Sequence, residues 1–144
     1  MLKGIDPILG PELLAALRAM GHGDDIAIVD ANFPAAANAR RLMRVDGVDA
    51  VRVTAAVAAL MPLDDFVPAA AWRMAVVDAP DEVPPVTALF EEALRANGYS
   101  GPIEAVERHA FYERARGAFA VVATGEARLY GNLLLRKGVI RPGE

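Results

Sequence analysis

Apolar residues along this chain are arranged in alternating helical and extended patterns. The segment "PELLAALRAMG" begins with Pro11, carries apolar residues at helical spacing and ends at Gly21, a good C-cap residue, so it predicts a helix. The next segment, "DIAIVDA", is a short β-branched apolar run, which predicts a buried strand. This strand would place the carboxylate of Asp30 at its carboxyl end.

The rest of the chain continues this alternation. Helices are predicted from "DAVRVTAAVAALM", "PPVTALFEEALRANG" and "HAFYERARGA", and strands from "AAAWRMAVVD", "IEAVER", "FAVVATGE" and "LLLRKGV". Strands that alternate with helices and are buried on both faces form a mostly parallel sheet covered by helices. We therefore expect a single α/β domain over residues 1–144, with three α/β/α layers, whose ligand binds at the carboxyl ends of the strands.

Composition fits one compact domain and narrows the classes of partner. The chain is 54% hydrophobic but only 6% aromatic, so Ala, Val and Leu must supply most of the core. Its net charge of -4 argues against nucleic acid as the main partner, because phosphate binding needs a concentrated basic surface. The absence of cysteine excludes disulfides and thiol chemistry and is typical of a cytoplasmic protein.

The amino-terminal segment does not have the pattern of a targeting sequence. "MLKGIDPILGPELLAAL" has an acid and two prolines where a signal peptide needs an unbroken apolar region, and no apolar run approaches the ~18 residues of a membrane span. We therefore expect a cytoplasmic protein without a membrane partner. The apolar surface that this composition leaves over is expected in a subunit interface.

Three familiar chemistries lack their sequence signatures. "GHGDD" has Ile26 where a dinucleotide-binding fingerprint needs its third glycine, and it follows a helix rather than a strand. The only serine, Ser100, has no nucleophile-elbow motif around it. The two histidines, His22 and His109, do not have the spacing of a metal site. We therefore expect neither a cofactor nor a metal ion.

A small set of polar residues remains, and proton transfer is chemistry that such a set performs well. The set comprises His22, Asp30, Arg108, Tyr112, Tyr130 and Asn132. His22 lies just beyond a helix end, where the carbonyl groups favour the imidazolium form, and Asp30 could orient the ring or hold it charged. The alternative is that His22 is a loop residue and Asp30 a turn former. Asp24 and Asp25 are expected to be solvent-facing turn residues without a chemical role.

The carboxyl-terminal half adds groups suited to a polyhydroxyl ligand. Arg108 ends the strand-like "IEAVER", so we expect it at the sheet edge, where it either binds a hydroxyl or an anion or forms a surface ion pair. Phe111 and Tyr112 point in different directions on a helix, so that one can be core while the other lines a pocket. "YGN" combines Tyr130, a glycine that lets a ligand approach the backbone, and the amide of Asn132; its other interpretation is a turn before the last strand.

Several of these motifs occur together, and in the same order, in a known family. "MGHGD" with "DANFP", then "FYERA", then "AFAVVATGE" with "YGN" and "LLLRKGV", resemble the L-fucose mutarotase and D-ribose pyranase family (RbsD/FucU). The resemblance runs from "LKG" near the start to "RKGV" near the end. The "FYERA" motif is typical of the fucose branch of that family.

The resemblance implies a three-layer α/β/α fold that assembles into homo-oligomeric rings, commonly decamers, with sites near subunit boundaries. It implies a cofactor-free isomerase that interconverts the anomers, and sometimes the ring forms, of a free monosaccharide. By matching motif, the catalytic histidine of "GHGD" is His22 and the sugar-binding aspartate of "VDANFP" is Asp30. The arginine before "HAFYER" is Arg108, and the sugar-contacting triplet is Tyr130, Gly131 and Asn132.

Anomer exchange requires the sugar to lose the proton on O1 while its ring oxygen gains one. Our hypothesis is that His22 is the acid or base at one oxygen, assisted by Asp30, and that Tyr130 serves the other, while Tyr112 closes the pocket. L-fucose is the expected substrate. Two alternatives stay open: a D-ribose pyranase with the same fold, and a non-catalytic sugar-binding accessory protein of a transport system.

Overall fold

A computed structural model describes all residues of the chain, 1–144, as five helices and six strands. The helices are α1 (Pro11–Ala19), α2 (Ala35–Asn38), α3 (Ala50–Ala58), α4 (Val86–Ala96) and α5 (Arg108–Gly117). The strands are β1 (Asp25–Val29), β2 (Leu42–Val45), β3 (Ala71–Met74), β4 (Ile103–Val106), β5 (Ala120–Thr124) and β6 (Leu133–Arg136). No helix is both long and apolar enough to span a membrane.

The six strands form one mixed sheet in the order β2-β5-β1-β6-β3-β4. Three neighbouring pairs are parallel, whereas β6 is inserted antiparallel between β1 and β3. The carboxyl ends of β1 to β5 and the amino end of β6 therefore lie at one edge of the sheet, which we call the carboxyl edge. The opposite edge, with the amino ends of β1 to β5 and the carboxyl end of β6, is the amino edge.

Helices cover both faces of the sheet, which confirms the predicted three layers. One face packs a core cluster of 21 buried residues against α1, α3 and α4. The other face packs a cluster of 12 buried residues against α2 and α5. Alternate residues of the central strands supply the two clusters: Ile26 and Ile28 face the first, and Ala27 and Val29 the second.

Every predicted helix and strand is present, but two elements have no counterpart in the predictions. The edge strand β2 and the four-residue helix α2 both lie in the segment between β1 and α3. The prediction that Arg108 ends a strand is also wrong. Glu107 is the N-cap of α5 and accepts a hydrogen bond from the Ala110 N–H at 3.0 Å, so Arg108 begins a helix instead of ending β4.

Candidate active site

Asp30 and Asn132 form a buried pair at the carboxyl edge. The Asp30 N–H donates to Asn132 Oδ1 at 2.8 Å, and Asn132 Nδ2 donates to Asp30 Oδ2 at 2.9 Å. Both residues are less than one tenth exposed. The antiparallel register of β6 beside β1 brings them together. Ile28 pairs with Leu133, Asp30 lies two residues after Ile28, and Asn132 directly precedes Leu133.

Burial sets the protonation behaviour of Asp30. It raises the pKa of the carboxyl above its ordinary value, since burial penalises the charged form, although N–H donors from Asn32 and Asn132 act in the opposite direction. The Asn32 N–H donates to Asp30 Oδ1 at 2.9 Å. Asp30 also lines a cleft of about 480 Å³ with Phe33 and Arg44, so this oriented acceptor faces a space large enough for a small ligand.

A buried glutamate that the sequence analysis did not identify holds the loop between β5 and β6. Glu126 is 1% exposed and receives two side-chain hydrogen bonds from Arg128, from Nε at 2.8 Å and from Nη2 at 2.9 Å. Its Oε2 also accepts the Ala50 N–H at the start of α3, and its backbone carbonyl accepts the Ala31 N–H at 2.9 Å. Glu126 therefore connects this loop to α3 and to the residue directly after Asp30.

Tyr130 lies in the same loop with a backbone conformation unusual for a residue with a side chain. Its φ is 61°, in the left-handed region, and Asp78 shares that φ value. The Tyr130 hydroxyl accepts the Val77 N–H at 3.0 Å, which joins the two strained segments. The phenol is thus held by an acceptor contact, and its own O–H remains available to donate.

Arg108 and Tyr112 lie next to each other on the first turns of α5. The Arg108 guanidinium carbon is 6.0 Å from the centre of the Tyr112 ring, and that ring packs edge-on against Phe33 at 5.3 Å. Phe111 is fully buried, so of the two neighbouring aromatics Tyr112 is the one that can line a pocket. Arg108 and Val77 line a cleft of about 510 Å³, and the Val77 N–H is the group that the Tyr130 hydroxyl accepts.

His22 lies at the amino edge, away from the other predicted site residues. It precedes β1 while Asp30 follows it, and a strand of this length spans about 16 Å. The predicted contact between His22 and Asp30 within one chain is therefore wrong. The partner of the ring is instead Asp64, whose Oδ1 lies 3.1 Å from His22 Nε2, and Phe66 packs beside the ring with centroids 5.2 Å apart.

A lysine, and not His22, binds the carbonyl groups at the end of α1. The Lys137 ammonium donates to the carbonyl oxygens of Leu17 and Met20, both at 2.6 Å. Burial lowers the pKa of Lys137, and Arg18 nearby acts in the same direction. We expected His22 to be the positive group beside the carbonyl end of α1. That place is occupied by Lys137, from the segment after β6.

Asp25 also departs from its prediction, whereas Asp24 does not. Asp25 is only 13% exposed and accepts hydrogen bonds from Arg136 at 2.8 Å and from Arg114 at 3.2 Å. Both guanidinium groups lie over the ring of Trp72. Asp25 therefore connects β1 to β6 and α5, while Asp24 accepts the Gly21 N–H in the turn, as expected.

No three His, Asp or Glu side chains lie close enough together to hold a metal ion.

Comparison with known proteins identifies the family of this chain. The model of the "RbsD / FucU transport protein family" matches residues 3–140. Human fucose mutarotase is 46% identical, covering 96% of this chain and 94% of its own, and the L-fucose mutarotase of Actinobacillus pleuropneumoniae is 41% identical, covering 96% and 97%. The crystal structure of the Streptococcus pneumoniae fucose mutarotase in complex with L-fucose is 40% identical, with a TM-score of 0.91 over 97% of this chain and 100% of the other. The chain therefore belongs to the RbsD/FucU family, as its motifs predict.

Proposed function

We propose that this protein is an isomerase that interconverts the α and β anomers of L-fucose without a cofactor. The observation that carries the proposal is the likeness to the pneumococcal enzyme bound to L-fucose, which extends over nearly the whole of both chains. The carboxyl edge supports it, because its carboxylate, amide, phenol and guanidinium groups are the donors and acceptors that bind sugar hydroxyls.

The reaction opens the pyranose ring and closes it on the other face of C1. A base takes the proton from the O1 hydroxyl, the bond between C1 and the ring oxygen breaks, and an acid gives a proton to the ring oxygen. Rotation about the C1–C2 bond and the reverse transfers then give the other anomer, so no proton is consumed. A well-placed acid or base accelerates such a step by typically 100- to 10,000-fold.

We assign the proton transfers to His22 and Tyr130. His22 has a side chain that is 46% exposed, so sugar can reach its ring. The Tyr130 hydroxyl keeps a hydrogen to donate while the Val77 N–H fixes its position. Asp30 and Asn132 bind sugar hydroxyls, the backbone at Gly131 allows close approach, and Arg108 and Tyr112 close one side.

The two groups of residues lie at opposite edges of the sheet, so we propose that two copies of the chain form each site. Both edges expose large apolar side chains, Phe66 and Ile140 toward the His22 side and Val77 and Leu129 toward the Tyr130 side. A contact between unlike edges is head-to-tail, and repetition of such a contact closes a ring when the rotation allows. The oligomer that we propose is a cytoplasmic homodecamer.

Magnetisation-transfer NMR on L-fucose at anomeric equilibrium tests this proposal. The wild-type protein is expected to increase α-to-β exchange above the rate in buffer, and His22→Ala is expected to abolish that increase while still binding sugar. A larger acceleration with D-ribose would favour the pyranase alternative. Saturable binding without acceleration of either sugar would favour the accessory binding protein.

A further inference from the structure

The His22 ring is in contact with one buried carboxylate. Asp64 is 4% exposed, and its Oδ1 lies 3.1 Å from His22 Nε2 and also accepts the Phe66 N–H at 3.0 Å. A carboxylate oxygen only accepts, so the nitrogen that faces it carries a hydrogen. This contact leaves Nδ1 as the ring nitrogen without a partner in the protein.

Backbone hydrogen bonds hold together the segments that carry these two side chains. The turn that carries His22 is bound to the segment after β6, because the Gly23 N–H donates to the Lys137 carbonyl and the Lys137 N–H donates to the Asp24 carbonyl, both at 2.9 Å. The end of β6 itself binds the Asp64 side, where the Asp64 N–H donates to the Arg136 carbonyl at 3.0 Å. The turn of His22 and the segment of Asp64 are thus both hydrogen-bonded to one extended stretch of chain, residues 136–137.

Packing at Gly138 makes this arrangement close-fitting. A Cβ at position 138 would lie 2.6 Å from the Leu63 carbonyl oxygen and 2.8 Å from Asp64 Cα, so only glycine allows the two segments to approach this closely. The Gly138 N–H also donates to the Pro62 carbonyl at 2.8 Å. The backbone position of Asp64 is therefore set by contact with the backbone at Gly138.

The other charged groups near the ring have their own partners. Asp65, the next residue, makes a two-pronged ion pair with Arg141 at 2.8 and 2.9 Å. The Arg141 guanidinium lies 5.2 Å from the centre of the Phe66 ring. Asp24 accepts the Gly21 N–H within the turn. Asp64 is the carboxylate in direct contact with His22.

We propose that Asp64 is a positioning residue for His22, holding the hydrogen on Nε2 so that Nδ1 exchanges the proton with the sugar oxygen. This inference rests on the proposed function. The carboxylate orients the ring, selects one tautomer and stabilises the imidazolium that forms when Nδ1 accepts a proton. Asp30, at the other edge, is then left to bind substrate and is not needed as the partner of the histidine.

Three variants separate the contributions of this carboxylate. Asp64→Ala removes both the hydrogen-bond acceptor and the charge. Asp64→Asn can keep an acceptor oxygen for His22 and Phe66 and removes only the charge. Asp65→Asn is the matched control, because it removes the neighbouring carboxylate and leaves the contact between Asp64 and His22 intact. Circular dichroism and oligomer size are compared for all three with the wild type.

The kinetic expectation is a graded loss of turnover without a matching loss of binding. Asp64→Ala should lower kcat on the order of tenfold to a hundredfold with little change in KM, Asp64→Asn should lose less, and Asp65→Asn should stay near the wild type. Wild-type kcat in folded Asp64→Ala, or an equal loss in Asp65→Asn, would overturn the positioning role. If Asp64→Ala fails to fold, an undiminished kcat in Asp64→Asn would overturn the contribution of the charge.

A spectroscopic measurement tests the tautomer without relying on activity. With ¹⁵N-labelled histidine, wild type, Asp65→Asn and Asp64→Asn should each show a protected imidazole N–H correlation at Nε2, and Asp64→Ala should lose it. A protected proton at Nδ1 in the wild type would contradict the inference. If the wild type accelerates no anomer exchange but shows the Nε2 signal, the proposed function fails while the contact with Asp64 is established.

Discussion

Asp30 and Asn132 exchange two hydrogen bonds although they are 102 residues apart in the sequence. The pair uses both the backbone N–H and the carboxylate of Asp30, so the amide of Asn132 fixes the strand end and the side chain together. Because both residues are buried, neither partner can be replaced by water without loss. This arrangement makes position 132 sensitive to charge as well as to shape.

Asn132→Asp should destabilise the protein more strongly as pH rises. The new carboxylate can still accept the Asp30 N–H, but its second oxygen replaces the donor that faces Asp30 Oδ2 at 2.9 Å. Two carboxylates at this distance do not readily ionise together, so one of the two apparent pKa values of the folded pair lies above the unfolded values. Stability is then fully present below the unfolded pKa of about 4 and is lost as pH rises through the folded pKa.

Urea unfolding at pH 5 and pH 8 measures this effect. We expect the free energy of unfolding of Asn132→Asp relative to the wild type to be lower at pH 8 than at pH 5, by about 1–3 kcal/mol. Asn132→Ala is the control, because it leaves the Asp30 groups unpaired at both pH values and adds no new charge. An equal deficit at both pH values for Asn132→Asp would contradict this prediction.

Glu126→Gln should destabilise the loop that carries Tyr130 and Asn132. Burial acts to raise the pKa of Glu126, but hydrogen bonds and charge from Arg128 outweigh it, so the pKa of this carboxyl lies below its usual value. Its contribution to stability is present above the unfolded pKa and is lost as pH falls through the folded pKa. A glutamine puts an N–H₂ group where a donor now points, at a cost of about 1–3 kcal/mol near neutral pH.

Unfolding and sugar binding are the two measurements for this variant. The free energy of unfolding of Glu126→Gln should depend less on pH in the acid range than that of the wild type, and KM for L-fucose should rise. Glu113→Gln is the matched control, because Glu113 is exposed and pairs only with Arg116 on α5. A wild-type acid profile in Glu126→Gln would show that the ionised carboxylate does not stabilise the loop.

The sequence predicts the fold well because most elements have strong patterns of their own. The exception β2 has mixed burial, with Met43 as its single buried residue, and its place is determined by pairing with β5. The helix α2 has only four residues, too few for a periodic pattern. The position of Asp30 at a strand end is predicted correctly because a short apolar run followed by a carboxylate is a local signal.

The contacts within the site are less predictable than its members. His22 and Asp64 are 42 residues apart, and the segment "PLDDFVP" offers two adjacent carboxylates with no sign of which one is buried. A partner for His22 could be identified only after β6 was placed antiparallel, since the segment after β6 joins the two. The same strand reversal brings Asn132 to Asp30, a contact that a fully parallel sheet does not imply.

Gly131→Ala should impair sugar binding through Glu126. A Cβ at this position would lie 2.5 Å from Glu126 Cγ and 3.2 Å from the Arg128 carbonyl oxygen, so the loop must shift. We expect a rise in KM for L-fucose and a loss of about 1–3 kcal/mol in the free energy of unfolding, typical of overpacking. Gly117→Ala, at a position with open space around it, is the control. Unchanged KM and stability in Gly131→Ala would contradict this close packing.

Mixed oligomers should regain activity that neither parent variant has. If each site combines His22 of one copy with the carboxyl edge of the next, His22→Ala and Asn132→Ala damage different halves of the site. In a ring assembled at random from equal amounts of the two, about one quarter of the sites contain two intact halves. Activity should therefore return to about one quarter of the wild-type value per chain.

Co-expression of the two variants with different affinity tags, followed by sequential purification, isolates the mixed oligomers. The control mixes the separately purified proteins just before the assay, where slow subunit exchange keeps activity low. A mixed oligomer with only the summed activity of its parents would mean that His22 and Asn132 do not form a site across the head-to-tail contact. Recovery in the co-expressed sample alone would instead mean that the amino edge of one copy completes the carboxyl edge of its neighbour.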